Sequence, residues 1–262
     1  MLITLSPSKG QDFEQAAATQ SYTHAPLLAD SAKLIGELKN YSQQQIAQLM
    51  AISEKLAQLN YQRFHDFSLP FNCQNAKAAL FAFKGDVYSG INTASMQQTD
   101  FEYAQGHVRI LSGLYGYLRP LDLIQPYRLE MKTKLKTSRG ANLYQFWGNK
   151  ITDLINQDLA QQKNKILLNL ASNEYYKVIN PKNINGKIVS VAFKEEKEGK
   201  SRIIAIYAKK ARGMMTDFVI RHQIDNIDGV KDFNYADYKY DTTASTDNNL
   251  VFCRKQPKPL SR

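Results

Sequence analysis

The stretch from Leu111 to Met131, LSGLYGYLRPLDLIQPYRLEM, restricts the possible folds more than any other part of the chain. It fits neither a continuous helix nor a continuous strand. Gly113 and Gly116 lie three apart and Pro120 and Pro126 six apart, with Tyr115, Tyr117, Tyr127, Arg119, Arg128, Asp122 and Glu130 among them. Glycine permits positive φ and close backbone approach, whereas proline fixes φ and removes a donor. A long ordered segment of this make-up is more often functional than connecting. The rest of the chain reads as its scaffold.

That scaffold mixes strands and helices. Met1–Leu5, Ala78–Phe83 and Lys165–Leu170 are short apolar runs that read as buried strands. Gln11–Pro26 is polar and reads as loop, and a helical period begins at Leu27. Ser42 and Gln45 have capping-box spacing, followed by Ile46, Leu49 and Met50 on one face. Ser53 opens a further helix expected to turn Leu56, Leu59 and Phe64 to the core. Asp100–Ile110 reads as a helix passing into a strand near His107, and Leu143–Trp147 leads into an amphipathic helix with Ile151, Leu154, Ile155 and Leu159. Ser172 is placed to cap a short helix. Lys187–Phe193 and Arg202–Tyr207 alternate and are expected to pair around a hairpin loop at Glu195–Ser201. Ala208–Gly213 then reads as a turn before a helix ending near His222. Phe233–Asp241 and Leu250–Arg254 are expected edge strands, and the basic tail from Lys255 is expected to fray. No repeat or linker divides residues 1–262. The expected fold is therefore one α/β (mixed α+β) domain, a central mixed β-sheet flanked by helices.

The charge is uneven. Residues 1–131 carry 10 Lys and Arg against 11 Asp and Glu, while residues 132–262 carry 24 against 13. A positive field concentrated in one half suits a polyanionic partner, nucleic acid first; the alternative is ordinary solubility charge. No apolar window is long enough for a membrane span and no secretory signal is apparent, so a cytoplasmic, membrane-free protein is expected. The separated Cys73 and Cys253 read as reduced thiols.

Four expected strands end in polar turns: Ser6-Pro7-Ser8-Lys9, Lys84-Gly85-Asp86, Ser172-Asn173-Glu174 and Lys209-Lys210-Ala211-Arg212. If they share one sheet edge they form a positively charged cleft, because ligands of open sheets lie outside the carboxyl ends of strands. The alternative is that each is an ordinary polar turn. Leu111–Tyr117 has the G-x-x-G form of a helix-hairpin-helix turn, whose exposed amides approach phosphate without reading bases. Its alternative is a tight turn within a strand–loop segment. On the first alternative Leu111–Tyr117 faces phosphate and Arg119–Met131 is a rigid brace with Arg119–Asp122 and Arg128–Glu130 pairs. Replacing Gly116 is then expected to weaken DNA binding more than folding. The four histidines lack partners at metal-ligand spacing, the cysteines form no CxxC, and no phosphate-loop or dinucleotide fingerprint is present. No metal or cofactor is therefore expected, and nothing marks a catalytic set: Asp86, Asp122, Glu130 and Glu174 read either as acids of a hydrolytic site or, preferably, as salt-bridge partners of Lys84, Arg119 and Arg128.

Several motifs in one order carry a resemblance: SPSK at the start, AFKGDVYSG at 82–90, the 111–131 stretch, LYQFWG at 143–148, NLASNEYY at 169–176 and YAKKARG at 207–213. With these the chain resembles the YaaA family of bacterial peroxide-stress proteins, nearly end to end. The resemblance implies a cytosolic protein of the hydrogen peroxide response that keeps unincorporated iron low and so limits hydroxyl-radical damage. It also implies an α/β fold with a positively charged cleft and a helix-hairpin-helix-like element that binds duplex or distorted DNA. Carried onto this sequence, the hairpin is Gly113, Leu114, Tyr115 and Gly116. From motif position and charge, the cleft cations are Lys9, Lys84, Arg119, Arg128, Lys209, Lys210 and Arg212. Ser112 and Pro120 depart from the general hairpin pattern. The resulting expectation is a non-enzymatic, monomeric DNA-binding stress protein. The alternative is an enzyme acting on a small anionic or nucleotide-like substrate in the same cleft. Direct iron sequestration lacks a ligand cluster in the sequence.

Overall fold

Strand β1 (Leu2–Leu5) is buried at every position, as a continuous apolar run is when both faces of its sheet are covered. The computed structural model describes residues 1–257. After β1 come β2 (Gly10–Gln11), residues 12–22 without regular structure, and β3 (Thr23–His24). Three helices follow: α1 (Leu28–Lys39), α2 (Gln43–Met50) and α3 (Glu54–Asp66). β4 (Lys77–Ala78), α4 (Ala79–Ala82) and β5 (Phe83–Lys84) lead to α5 (Gln98–His107). Then come β6 (Val108–Ser112), β7 (Gly116–Leu118), β8 (Asp122–Ile124), α6 (Leu143–Trp147), α7 (Lys150–Ala160), β9 (Ile166–Asn169) and α8 (Asn173–Tyr176). The last elements are β10 (Lys187–Lys197), β11 (Lys200–Arg202), α9 (Ala205–Arg221), α10 (Ile227–Lys231), β12 (Lys239–Tyr240) and β13 (Asn249–Lys255).

The main sheet runs β12-β13-β10-β9-β1-β6-β7, with β11 paired to β10. From β13 to β6 every pairing is parallel, and β12, β7 and β11 are antiparallel additions. Ile3 at the centre lies opposite Val108 on one side and Leu168 on the other. Parallel neighbours need crossovers, which the helices between them supply. Two small sheets, β2-β5 and β3-β8-β4, sit off this frame. The expected mixed α/β sheet flanked by helices is therefore present. The Ser42–Gln45 capping box forms in both directions, and Ser53 caps α3.

Four local expectations are corrected. In α3 the buried residues are Ala57, Asn60 and Phe64, whereas Leu56 and Leu59 are exposed. The inner stripe is legible only with Asn60 as an inside residue; its Nδ2 donates to the Leu56 carbonyl (2.8 Å), while its Oδ1 is buried without a partner among the described residues. Ala78–Phe83 is not one strand but a turn of helix between two-residue strands. Its side chains are buried throughout, the case in which period cannot separate strand from helix. The strand predicted at Arg202–Tyr207 stops at Arg202, and α9 begins at Ala205. Ile203 and Ile206 stay exposed, so their apolar character marked no buried face. β13 is internal, between β12 and β10, and the expected strand over Phe233–Asp241 shrinks to Lys239–Tyr240. The end of the basic tail, 258–262, lies outside the described residues.

Candidate nucleic-acid interface

The strand-end turns meet. β1 and β9 are parallel neighbours, so their carboxyl ends emerge side by side. There the Ser172 amide donates to Ser6 Oγ (2.8 Å), and the two hydroxyls lie 3.2 Å apart. This contact takes up the Ser172 side chain, which makes no capping bond to α8. Ser8 Oγ donates to the Lys84 carbonyl, and Gly10 pairs with Lys84 across β2-β5. Tyr88, just beyond Gly85 and Asp86, donates its hydroxyl to the Ser6 carbonyl (3.1 Å). Lys209 Nζ lies 3.7 Å from the Asp86 carboxylate. Lys209, Lys210 and Arg212 belong to the first turns of α9 and not to a turn after a strand.

The Leu111–Tyr117 segment is a β-hairpin, with β6 and β7 pairing antiparallel from Ile110–Leu118 to Ser112–Gly116. Strands and not helices flank the turn, so the helix-hairpin-helix expectation is replaced by the tight-turn alternative. Gly113, Leu114, Tyr115 and Gly116 are all buried. A Cβ on Gly113 would lie 2.1 Å from the Leu129 carbonyl oxygen, so only glycine allows the 127–131 backbone to lie across it. Gly116 has φ +67°, and a Cβ there would sit 2.9 Å from the Trp147 ring. The polar groups of the turn face inward: Trp147 Nε1 donates to the Gly113 carbonyl (3.1 Å) and the Tyr115 amide to Ser112 Oγ (3.0 Å). In this conformation the four hairpin residues support the layer above them.

That layer is the segment around Arg128. Glu130, buried to 11% side-chain exposure, is met by Lys9 Nζ at 2.9 Å, Arg128 Nη2 at 3.2 Å and Lys132 Nζ at 3.3 Å. Burial pushes its carboxyl up, but the Lys9 and Lys132 hydrogen bonds and charges outweigh this and leave it below its ordinary value. Three cations around one carboxylate leave a net positive group on this surface, and Arg128 Nε is buried without a partner among the described residues. The expected Arg119–Asp122 pair forms as well, at 2.8 Å. Asp122 is fully buried and also accepts from Thr23, while Arg119 donates to the His24 carbonyl (2.9 Å), so this pair ties β3 to β8.

The predicted cations differ in how free they are. Lys9, Arg119 and Arg128 are paired as above, Lys84 contacts Asp12 at 3.0 Å, and Lys209 approaches Asp86. Among the described residues Lys210 and Arg212 have no ion-pair partner; Lys210 is exposed and Arg212 half-buried. Burial pulls the Arg212 guanidinium below its ordinary pKa. Lys132 was not among the predicted site residues, although Met131–Lys136 alternates buried and exposed, with Lys132, Lys134 and Lys136 outward. That period of two was the available signal for a cationic edge.

Residues 1–244 match the family model described as peroxide stress protein YaaA. Among curated relatives, each called a UPF0246 protein, one from Psychromonas ingrahamii is 50% identical over 256 residues, 98% of this chain and 100% of that protein. One from Cellvibrio japonicus is 48% identical over 257 residues, again 98% and 100%. One from Aliivibrio fischeri is 48% identical over 256 residues, 98% of this chain and 99% of its own.

Proposed function

Since the chain belongs to the YaaA peroxide stress protein family, we propose that it serves the peroxide response by binding DNA through backbone phosphates, independently of sequence. The observation that carries this is the exposed cationic surface on the first turns of α9, where Lys209 and Lys210 stand beside the half-buried Arg212. Added to it are the cations around Glu130, and the net positive charge of residues 132–262. Such a surface releases counterions on contact with phosphate, so affinity falls steeply with salt. In this proposal the protein acts in the cytoplasm as a monomer, without metal or cofactor, and its presence on DNA accompanies low free iron and less Fenton damage. The Gly113–Gly116 turn contributes rigidity, and contact falls to side chains above it.

The test is fluorescence anisotropy with duplex and bubble DNA across a salt series. Each phosphate that a lysine neutralises contributes about 0.9 to the slope of log K against log salt, so the double variant Lys209→Ala/Lys210→Ala should lower that slope by about 1.8. A flat salt plot for the wild type, or a slope unchanged in the variant, rejects the proposal. Complementing a deletion strain with the same variant, and reading free iron under peroxide, checks whether the iron phenotype depends on DNA binding.

A further inference from the structure

Between residues 15–18 and the segment 77–94 lies a cavity of about 440 Å³. Its walls include Leu80, Phe81, Phe83 and Ile91, and its charged groups are Lys77 and Lys84. A second cavity of about 510 Å³ shares Gln15, Ala16 and Lys77 with it, so the segment 12–22 runs over the space as a strap. Volumes of this size, apolar with a few placed polar groups, are typical of small-molecule sites.

The charge in the cavity is unbalanced. The Lys77 side chain is nine-tenths out of solvent; its Nζ donates to the Asp12 carbonyl (2.8 Å) and lies 3.9 Å from the Asp12 carboxylate. Lys84 Nζ lies 3.0 Å from the same carboxylate and donates to Gln15 Oε1 (3.2 Å). Asp12 also accepts the amides of Glu14 (2.9 Å) and Gln15 (3.1 Å). These amides and Lys84 hold its carboxyl down to about 2, so it is charged at neutral pH. One carboxylate therefore serves two ammonium groups, leaving one positive charge uncompensated beside apolar walls. Burial lowers the Lys77 pKa, as expected where a cation lacks a full partner.

We propose that this cavity binds a small organic carboxylate with an apolar or aromatic body, its carboxylate on Lys77 and Lys84 and its body against Leu80, Phe81, Phe83 and Ile91. A strongly hydrated inorganic anion gains nothing from those walls. A phosphate monoester, at close to two negative charges at neutral pH, would overshoot the single excess charge. The cavity borders the strand-end turns and shares Lys84 with the cations named there, but the proposal does not rest on the DNA reading, and its probes are titrated without DNA.

The probes are anilinonaphthalene sulfonate, an aromatic monoanion, and its neutral analogue N-phenylnaphthylamine, titrated without DNA into the full protein. The native protein should bind the anion saturably at one site, about tenfold tighter than the neutral probe. Phenylacetate should displace it at lower concentration than phenyl phosphate. Lys77→Met, with near-ultraviolet circular dichroism as the folding check, should remove the preference and leave the neutral probe's affinity unchanged. Lys84→Met, at the half-exposed rim, should reduce the preference several-fold and decides the matter if Lys77→Met does not fold. Equal binding of the two probes, stronger displacement by phenyl phosphate, or a preference unchanged in Lys84→Met overturns the proposal.

Discussion

Replacing Gly116 by alanine tests how the hairpin is held. At φ +67° a residue with a Cβ costs about 1–2 kcal/mol more than glycine. The new methyl would stand 2.9 Å from Trp147 Cζ3 and 3.0 Å from Cε3 and Cη2. The ring cannot simply withdraw, because Trp147 is 1% exposed and its Nε1 is bonded to the Gly113 carbonyl. Overpacking of this kind adds about 1–3 kcal/mol. The expected loss is therefore about 2–5 kcal/mol, against the roughly 5–15 kcal/mol that holds a typical domain together. Trp147 is the sole tryptophan, so urea unfolding followed by its fluorescence reports this site directly. Trp147→Phe leaves room for the methyl, and the double variant, followed by circular dichroism, should cost about 1–2 kcal/mol less than the sum of the singles. A loss below about 1 kcal/mol, or strict additivity, refutes the steric account. DNA affinity per folded molecule should be unchanged in Gly116→Ala, which reverses the sequence-based expectation that Gly116 serves binding more than folding.

Two further substitutions probe the charges. Glu130 has a folded-state pKa below its unfolded value, so its carboxylate stabilises the fold above the unfolded pKa of about 4.3, and that contribution disappears as pH falls through the folded pKa. Urea midpoints should therefore show Glu130→Gln less stable than wild type at neutral pH, with the gap closing as the pH falls below the unfolded value and through the lowered folded one. The same variant removes the carboxylate that pairs with Lys9, Arg128 and Lys132, so its DNA affinity at low salt should rise about two- to fivefold. Asp158 accepts from Arg109 at 2.6 Å and from the Tyr117 hydroxyl, and Arg109 is 4% exposed. Asp158→Ala strands that guanidinium and should cost about 2–3 kcal/mol, less than for a fully buried pair because the Asp158 side chain is one-third exposed; urea denaturation with no measurable destabilisation would contradict this.

What was legible in the sequence was what local chemistry dictates. The apolar runs at Leu2–Leu5 and Ile166–Asn169 became central strands, and the capping box at Ser42 formed both bonds. The Arg119–Asp122 and Arg128–Glu130 pairs lie two or three residues apart and needed no tertiary knowledge. What escaped depends on remote partners. The two glycines of G-x-x-G announce a close approach but not what approaches. Here it is the Leu129 backbone and the Trp147 ring, neither of them DNA. The same pattern suits a surface turn against phosphate and an interior turn against protein, and only the 127–131 layer separates the two. The Lys209–Arg212 group was legible by charge but not as part of a helix, since the inward side chains there are only Ala208 and Ala211, a weak start to a period that Met215, Phe218 and Val219 then continue.

The position of β1 at the middle of the parallel sheet bears on how the protein is made. Its partners lie far along the chain: Thr4 sits opposite Asn169, 165 residues later, and β13, two strands farther out, ends at Lys255. At about 5–20 residues per second on the ribosome, β1 waits about 8–30 s for its β9 neighbour. During that interval it is an apolar strand with at least one unpaired edge, the kind of segment that invites pairing with another chain. Its other partner, β6, arrives earlier and brings the β7 hairpin with it, so half of the sheet can shelter β1 before the second half exists. Slowing translation between 112 and 166 should therefore increase aggregation of the nascent protein more than slowing it after 170.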